Sequence, residues 1–188
     1  MHPKAAEFLP PIIKNQYHAA LAMLRQAIER CPDALWTSDA YPNRTWRMAY
    51  HTLYYTHLYL GQRLQDFRPW EHHQTGIQHM DDDAGGGEFD AVVELPHRPP
   101  RTGAPYTKAE VLAYWSVVDA TVDRAVDALD LMTADSGFPW AKVPKAEHQF
   151  MNIRHIQHHT AQLADRLRTA HGIGLDWVRS GRPLGKQA

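Results

Sequence analysis

Between Thr45 and Phe67 the chain offers almost no polar face. Trp46, Ala49, Tyr50, Leu53, Tyr54, His57, Leu58, Leu60 and Leu64 are spread round most of the circumference of a helix, and Arg63, Gln65 and Asp66 gather only at its far end. A helix apolar nearly all round must be covered on most of its sides by other elements, which makes it the centre of whatever forms. Gly61 lowers helix propensity near its end but permits close approach of a neighbour.

The rest of the chain supplies helices as that cover. From Ile12 to Cys31, the residues Ile13, Tyr17, Ala20, Leu24, Ile28 and Cys31 recur at three- and four-residue steps and make one apolar stripe, which Pro32 ends. Residues 33–44 read as a loop, with Pro42 and Asn43 as turn signals. Thr107-Lys-Ala-Glu110 is a capping box that opens a third helix, whose stripe is Val111, Trp115, Val118, Val122, Ala125 and Leu129; Asp119, Asp123, Arg124 and Asp127 lie on its other faces. After a turn at Asp135–Pro139 pivoting on Gly137, a fourth helix carries Pro144 in its first turn and runs to His171, where Gly172 stops it. Its core seam is Ile153, Ile156, Thr160, Leu163 and Leu167.

From Arg68 to Tyr106 the helical period stops, broken by Pro69, Gly76, Gly85, Gly86, Gly87, Pro96, Pro99, Pro100, Gly103 and Pro105. A long irregular segment inside a compact domain is commonly functional or mobile. The Gly85–Gly87 run lacks the Lys-Ser/Thr and flanking strand of a phosphate loop. In the tail, about 173–188, Leu175, Trp177 and Val178 are expected to pack back on the helices, with the last residues frayed. No strand pattern and no short-period repeat competes. The expectation is an all-α chain: a four-helix bundle forming a single domain over residues 1–188, with a long irregular insertion at about 68–106 between helices two and three.

Charge narrows the function. The formal net charge is −1, and the 20 Lys and Arg residues are dispersed, which argues against a nucleic-acid surface. No apolar run approaches the length of a bilayer span, and the first residues do not read as an export leader. A lone cysteine, Cys31, cannot form an internal disulfide, and the cytoplasm is the expected compartment.

The 13 histidines are the unusual total. His155 and His159, four apart on the fourth helix, lie on one face, one above the other, where both rings can close on one metal ion. His158 points to another side. Two further histidines, His51 and His57, lie in the central helix. Each needs a partner for its ring nitrogens, and either a metal or a buried polar group would serve. His18 reads as a partly buried structural residue. His72, His73, His79, His97 and the acids Asp81–Asp83 show no ligand spacing and read as solvated loop residues.

Taken together, Trp46-Arg-Met-Ala-Tyr-His51 on an early central helix and His155-Ile-Gln-His-His159-Thr-Ala-Gln162 on a late one resemble the DinB/YfiT-like superfamily. The resemblance spans most of the chain, and the late His-x-x-His-His-x-x-Gln segment is its more specific part. It implies a four-helix bundle, often a homodimer, holding a divalent ion, zinc or nickel, on His51, His155 and His159. It places Gln162, His158 and Tyr54 as candidates for the pocket or for support of the ligands. Relatives of known activity include thiol-dependent S-transferases and isomerases using low-molecular-weight thiols, so a metal-dependent enzyme acting on a small molecule is expected. A metal-binding bundle without turnover, serving as sensor or binding module, is the alternative. The insertion departs from the minimal family pattern. Because ligating imidazoles must be unprotonated, metal affinity and stability should fall in acid, and a chelator should remove most of that dependence.

Overall fold

The computed structural model describes residues 5–80 and 104–181. Among these the regular structure is entirely helical: α1 Ala5–Arg30, α2 Asp33–Trp36, α3 Thr45–Tyr59, α4 Lys108–Ala128 and α5 Lys145–His171, with a 3-10 turn at Leu64–Asp66. The four long helices form an arrangement compatible with a four-helix bundle.

The cross-helix contacts fix the directions. Tyr17 meets Gln149 and Gln157 meets Met23, so α1 and α5 run parallel. Gln149 reaches the Tyr59 carbonyl and Arg166 the Asn43 carbonyl, so α3 runs antiparallel to α5. Trp115 donates to the Leu21 carbonyl and Lys108 to that of Cys31, so α4 runs antiparallel to α1. It follows that α3 and α4, neighbours through His57 and Tyr114, are parallel. A parallel pair cannot be joined by a short turn. The connection has to return the length of α3, roughly 22 Å at 1.5 Å per residue, and that is the topological reason for the long insertion.

The core follows the apolar residues. On α1, Ile13, Tyr17, Ala20, Leu24 and Ile28 are buried, and α3 is buried without a break from Thr45 to Leu53. On α5 the whole seam from Ile153 to Leu167 is buried as expected, but its first turns also bury Lys145, His148, Gln149 and Asn152. Lys145, Gln149 and Asn152 find hydrogen-bond partners elsewhere in the chain, whereas Nδ1 of His148 has none among the described residues. Tyr17 donates to Gln149 Oε1 (2.8 Å), Asn152 Nδ2 donates to Tyr17 Oη (2.9 Å), and Lys145 donates to the carbonyls of Gly61 (3.2 Å) and Gln62 (2.7 Å).

Several boundaries differ from the sequence expectation. α1 starts at Ala5 and contains Pro10 and Pro11, since proline's fixed φ suits a helix and only the two bonds to its missing N–H groups are lost near the end. α3 ends at Tyr59 rather than Phe67. The Tyr59 carbonyl is taken by Gln149 and those of Gly61 and Gln62, just beyond the helix, by Lys145, and the chain turns so that Leu64 N–H reaches the Gly137 carbonyl (3.1 Å). Asp33–Trp36 is helical, not loop, with Trp36 Nε1 donating to the Tyr106 carbonyl (2.8 Å). The buried face of α4 is Val111, Tyr114, Val118, Val122 and Val126, so Trp115, Ala125 and Leu129 sit at its margin. Pro144 is the N-cap of α5 instead of lying in its first turn.

The capping box is present: Thr107 Oγ1 accepts from Glu110 N–H (3.2 Å) and Glu110 Oε2 accepts from Thr107 N–H (2.7 Å). Gly137 has φ +83°, and a Cβ there would lie 2.1 Å from the Gln62 carbonyl oxygen. After Gly172 the tail runs back along α1, with Asp176 N–H on Gln26 and Gly181 N–H on the Asn15 carbonyl. Ile173 and Leu175 pack on the core. Trp177 does not: it is 74 % exposed, turned outward beside Asp176, which Gln26 and Arg30 hold. No described helix is long and apolar enough to cross a membrane.

Candidate metal centre

His51 projects from α3 towards α5, and His155 and His159 project back from one face of α5. One ring nitrogen from each lies within 4.8 Å of the other two. Nε2 of His51 and Nε2 of His155 are 3.1 Å apart, and the His155 and His159 ring centroids are 4.6 Å apart. His51 and His159 are buried, at 8 % and 5 % exposed.

The outer nitrogens fix which inner ones carry lone pairs. Nδ1 of His51 donates to the backbone carbonyl of Gln78 (2.7 Å), and Nδ1 of His159 donates to Gln162 Oε1 (2.8 Å). An imidazole that donates from Nδ1 presents an unprotonated Nε2, the tautomer a metal needs. Among the described residues, His155 has no partner for its buried Nδ1.

Burial, then the neighbouring imidazoles His155 and His159, holds His51 well below the usual histidine pKa. Burial, followed by His159 and His158, pushes His155 down to about 3. Both rings are neutral at pH 7. The donor set therefore fits a divalent ion: three imidazoles, no carboxylate to offset charge, and an Nε2 pair close to the spacing of a little over 3 Å that two zinc–nitrogen bonds of about 2.0–2.1 Å impose. Three protein nitrogens leave a tetrahedral ion one further position, the pattern of catalytic rather than structural zinc.

The other sequence candidates are dispersed. His57 faces α4, where Tyr114 Oη lies 3.2 Å from its Nδ1. His158 is exposed, its ring edge-on to His159 at 5.0 Å, and it stays outside the trio. Tyr54 faces away from the trio, among Tyr50, Phe67 and His73. His18 is indeed half-buried, held between Asp119 (2.7 Å) and the solvent-exposed Asp123 (3.2 Å). His72 is exposed, but His73 and His79 are not solvated loop residues. His73 bonds Tyr50 at 2.6 Å, and His79 Nε2 lies 3.2 Å from Gln78 Nε2. His97, Asp81–Asp83 and Gly85–Gly87 lie outside the described residues, as does the tail beyond Gly181.

Two contributors were not anticipated. Tyr55 stands one helical turn after His51, its ring 4.7 Å from that histidine and 6.0 Å from His155. Its spacing of four from His51 was a usable signal. The Gln78 carbonyl, a backbone atom, had none.

No family model matches the chain, and neither a curated protein nor a solved structure matches it.

Proposed function

We propose that this chain is a DinB/YfiT-like protein that holds a divalent ion, zinc or nickel, on His51, His155 and His159, and that it uses the ion to activate a low-molecular-weight thiol as an S-transferase or isomerase. The observation that carries the reading is the set of three converging imidazoles from two helices, two of them oriented through Nδ1 so that Nε2 faces inward. When bound, a divalent ion there supplies Lewis acidity that lowers the pKa of a thiol or water.

The residues of the chain do the rest. Gln78 and Gln162 each hold a proton at Nδ1 of a ligand, which keeps both rings in the ligating tautomer. Tyr55 walls one side of His51 and His155 with an aromatic ring. Burial of His51 and His159 keeps water from competing with the ligands, and burial keeps the His51 and His155 rings uncharged.

Metal analysis of the purified protein, followed by a screen of bacillithiol, mycothiol and glutathione against electrophiles with and without chelator, tests this. Stoichiometric metal and chelator-sensitive thiol consumption are expected. Absence of metal under reconstitution with zinc and nickel would sink the reading. The deep burial of His51 and His159 also favours a second reading, a metal-holding module without turnover, and stoichiometric metal with no thiol-dependent reaction would select it. We further propose a homodimer, supported by the exposure of Phe8, Ile12, Phe150, Met132 and Trp177.

A further inference from the structure

The segment from Trp70 to Met80 is anchored on the aromatic flank of α3 and α4 at several points. Trp70 is buried and stacks on Tyr114, with centroids 4.8 Å apart and planes 9° apart. Tyr106 grips the residues either side of His73: its hydroxyl donates to the His72 carbonyl (2.6 Å) and accepts from Gln74 N–H (2.9 Å). Ile77 is buried. Between these anchors Tyr50 Oη, on α3, donates to Nδ1 of His73 (2.6 Å). Tyr54 closes over the same ring at 4.9 Å.

The turn that follows is tight. Gly76, with φ +89°, donates to Gln78 Oε1 (2.9 Å), and His79 N–H reaches the Gly76 carbonyl (3.3 Å). That turn aims the Gln78 carbonyl at Nδ1 of His51, 2.7 Å away. Tyr50 and His51 are consecutive on α3, so one grips the segment and the other receives its carbonyl. A segment held at one of these points is held at the other.

The geometry points to a latch: the Tyr50–His73 hydrogen bond fixes the 70–80 segment so that the Gln78 carbonyl holds the Nδ1 proton of His51, and this sets how tightly the three histidines take a divalent ion. It rests on the metal reading above. Tyr50 and His73 are positioning residues, since neither belongs to the trio. The insertion is then a working part of the centre: it supplies no ligand from its described residues but governs the tautomer of one. Partners that orient a ligating histidine commonly change metal affinity by about 10–100-fold when removed.

The test uses zinc and the full chain. Zinc dissociation constants, measured by competition with a chromophoric chelator, are compared for the wild type, Tyr50→Phe, His73→Ala and the double variant. Each single variant is expected to bind zinc about tenfold more weakly, and the double variant no worse than either, because both delete one bond. His73→Gln, which can still accept from Tyr50, should restore most of the affinity.

A second readout needs no metal. Nitrogen-15 shifts of the His51 ring in metal-free protein should show the Nδ1–H tautomer in the wild type and a tautomer mixture in Tyr50→Phe. A merely structural role for Tyr50 would lower the melting temperature without changing that ratio. Zinc affinities within twofold of the wild type together with an unchanged His51 tautomer would overturn the latch while leaving the metal reading intact. Failure of the wild type to bind zinc, with the tautomer shift present, would overturn the metal reading and the affinity role with it, and leave only the orientation of His51.

Discussion

Nε2 of His51 and Nε2 of His155 stand 3.1 Å apart although 104 residues separate them in the chain. The two are brought together by α3 and α5 running antiparallel, and either ring alone would be an ordinary buried histidine. On the proposed metal reading the pair is also the point at which metal binding and helix packing would meet, because an ion held by both would tie two helices that otherwise touch through side chains.

Replacing a ligand should abolish this tie. His51→Ala, His155→Ala and His159→Ala are each expected to lose bound metal, read by elemental analysis after zinc reconstitution. His57→Ala should keep a full equivalent, since His57 faces Tyr114 on another side of α3. Retained metal in His51→Ala with loss in His57→Ala would reverse the assignment.

Acid should destabilise the protein even without metal. His51 and His155 have folded-state pKa values depressed by burial, the latter to about 3. The unfolded chain takes up protons near pH 6.5 while the folded one does not, so their contribution is fully present above about 6.5 and is lost as pH falls towards the folded values. The limiting slope is about 1.4 kcal/mol per pH unit for each such group. Chelator should therefore reduce the acid sensitivity rather than remove most of it, which revises the expectation from sequence. Chemical denaturation of metal-free protein between pH 7 and pH 4 checks this, and a flat profile would contradict it.

His18 works in the opposite sense. Its hydrogen bond to Asp119, reinforced by Asp123 and only partly offset by burial, raises its pKa above 6.5. Its contribution is fully present below the unfolded pKa and is lost as pH rises through the folded one. Asp119→Asn should flatten stability on that alkaline flank while leaving the acid flank unchanged, a contrast the same denaturation series reads.

Gly137→Ala should be among the most damaging single-methyl additions. The residue sits at φ +83°, and the new Cβ would lie 2.1 Å from the Gln62 carbonyl oxygen, a backbone atom that cannot swing aside. A loss of about 2–4 kcal/mol is expected, measured as a shift in denaturation midpoint at constant m-value. Gly174→Ala, with nothing within 4 Å of its Cβ, is the control.

The homodimer is tested by light scattering across micromolar concentrations. A twofold mass is expected, together with weaker association in Trp177→Ser, which removes a side chain 74 % exposed. A monomer mass throughout would end the idea.

What could be read from sequence was what side chains announce by themselves. The α1 and α5 seams, the Thr107 capping box and the Gly172 stop are local patterns, and each is present. So is the placement of His155 and His159 on one face, their rings edge-on at 4.6 Å, which needs only the helical repeat. The end of α3 was hidden because Leu60 and Leu64 continue its apolar pattern, whereas the turn is decided by Lys145 and Gly137, more than 70 residues on in the chain. The buried polar face at the start of α5 was hidden for a related reason: Gln149 and Asn152 look solvated until Tyr17 and Tyr59 are known to face them. Four residues of α2 carry no period at all. The resemblance supplied His51 over His57 where spacing left both open, but no motif can name a backbone carbonyl such as that of Gln78.

The parallel placement of α3 and α4 bears on how the chain is born. Elongation at about 5–20 residues per second leaves roughly 5–20 s between the emergence of His51 and of His155, given the 104 residues between them. During that interval α3, buried continuously from Thr45 to Leu53 in the finished protein, lacks its α5 flank and gains α4 only after residue 128 is made. A nascent chain stalled after α4 would present that surface to holdase chaperones, and cellular metal could not be captured by the trio until α5 had been made.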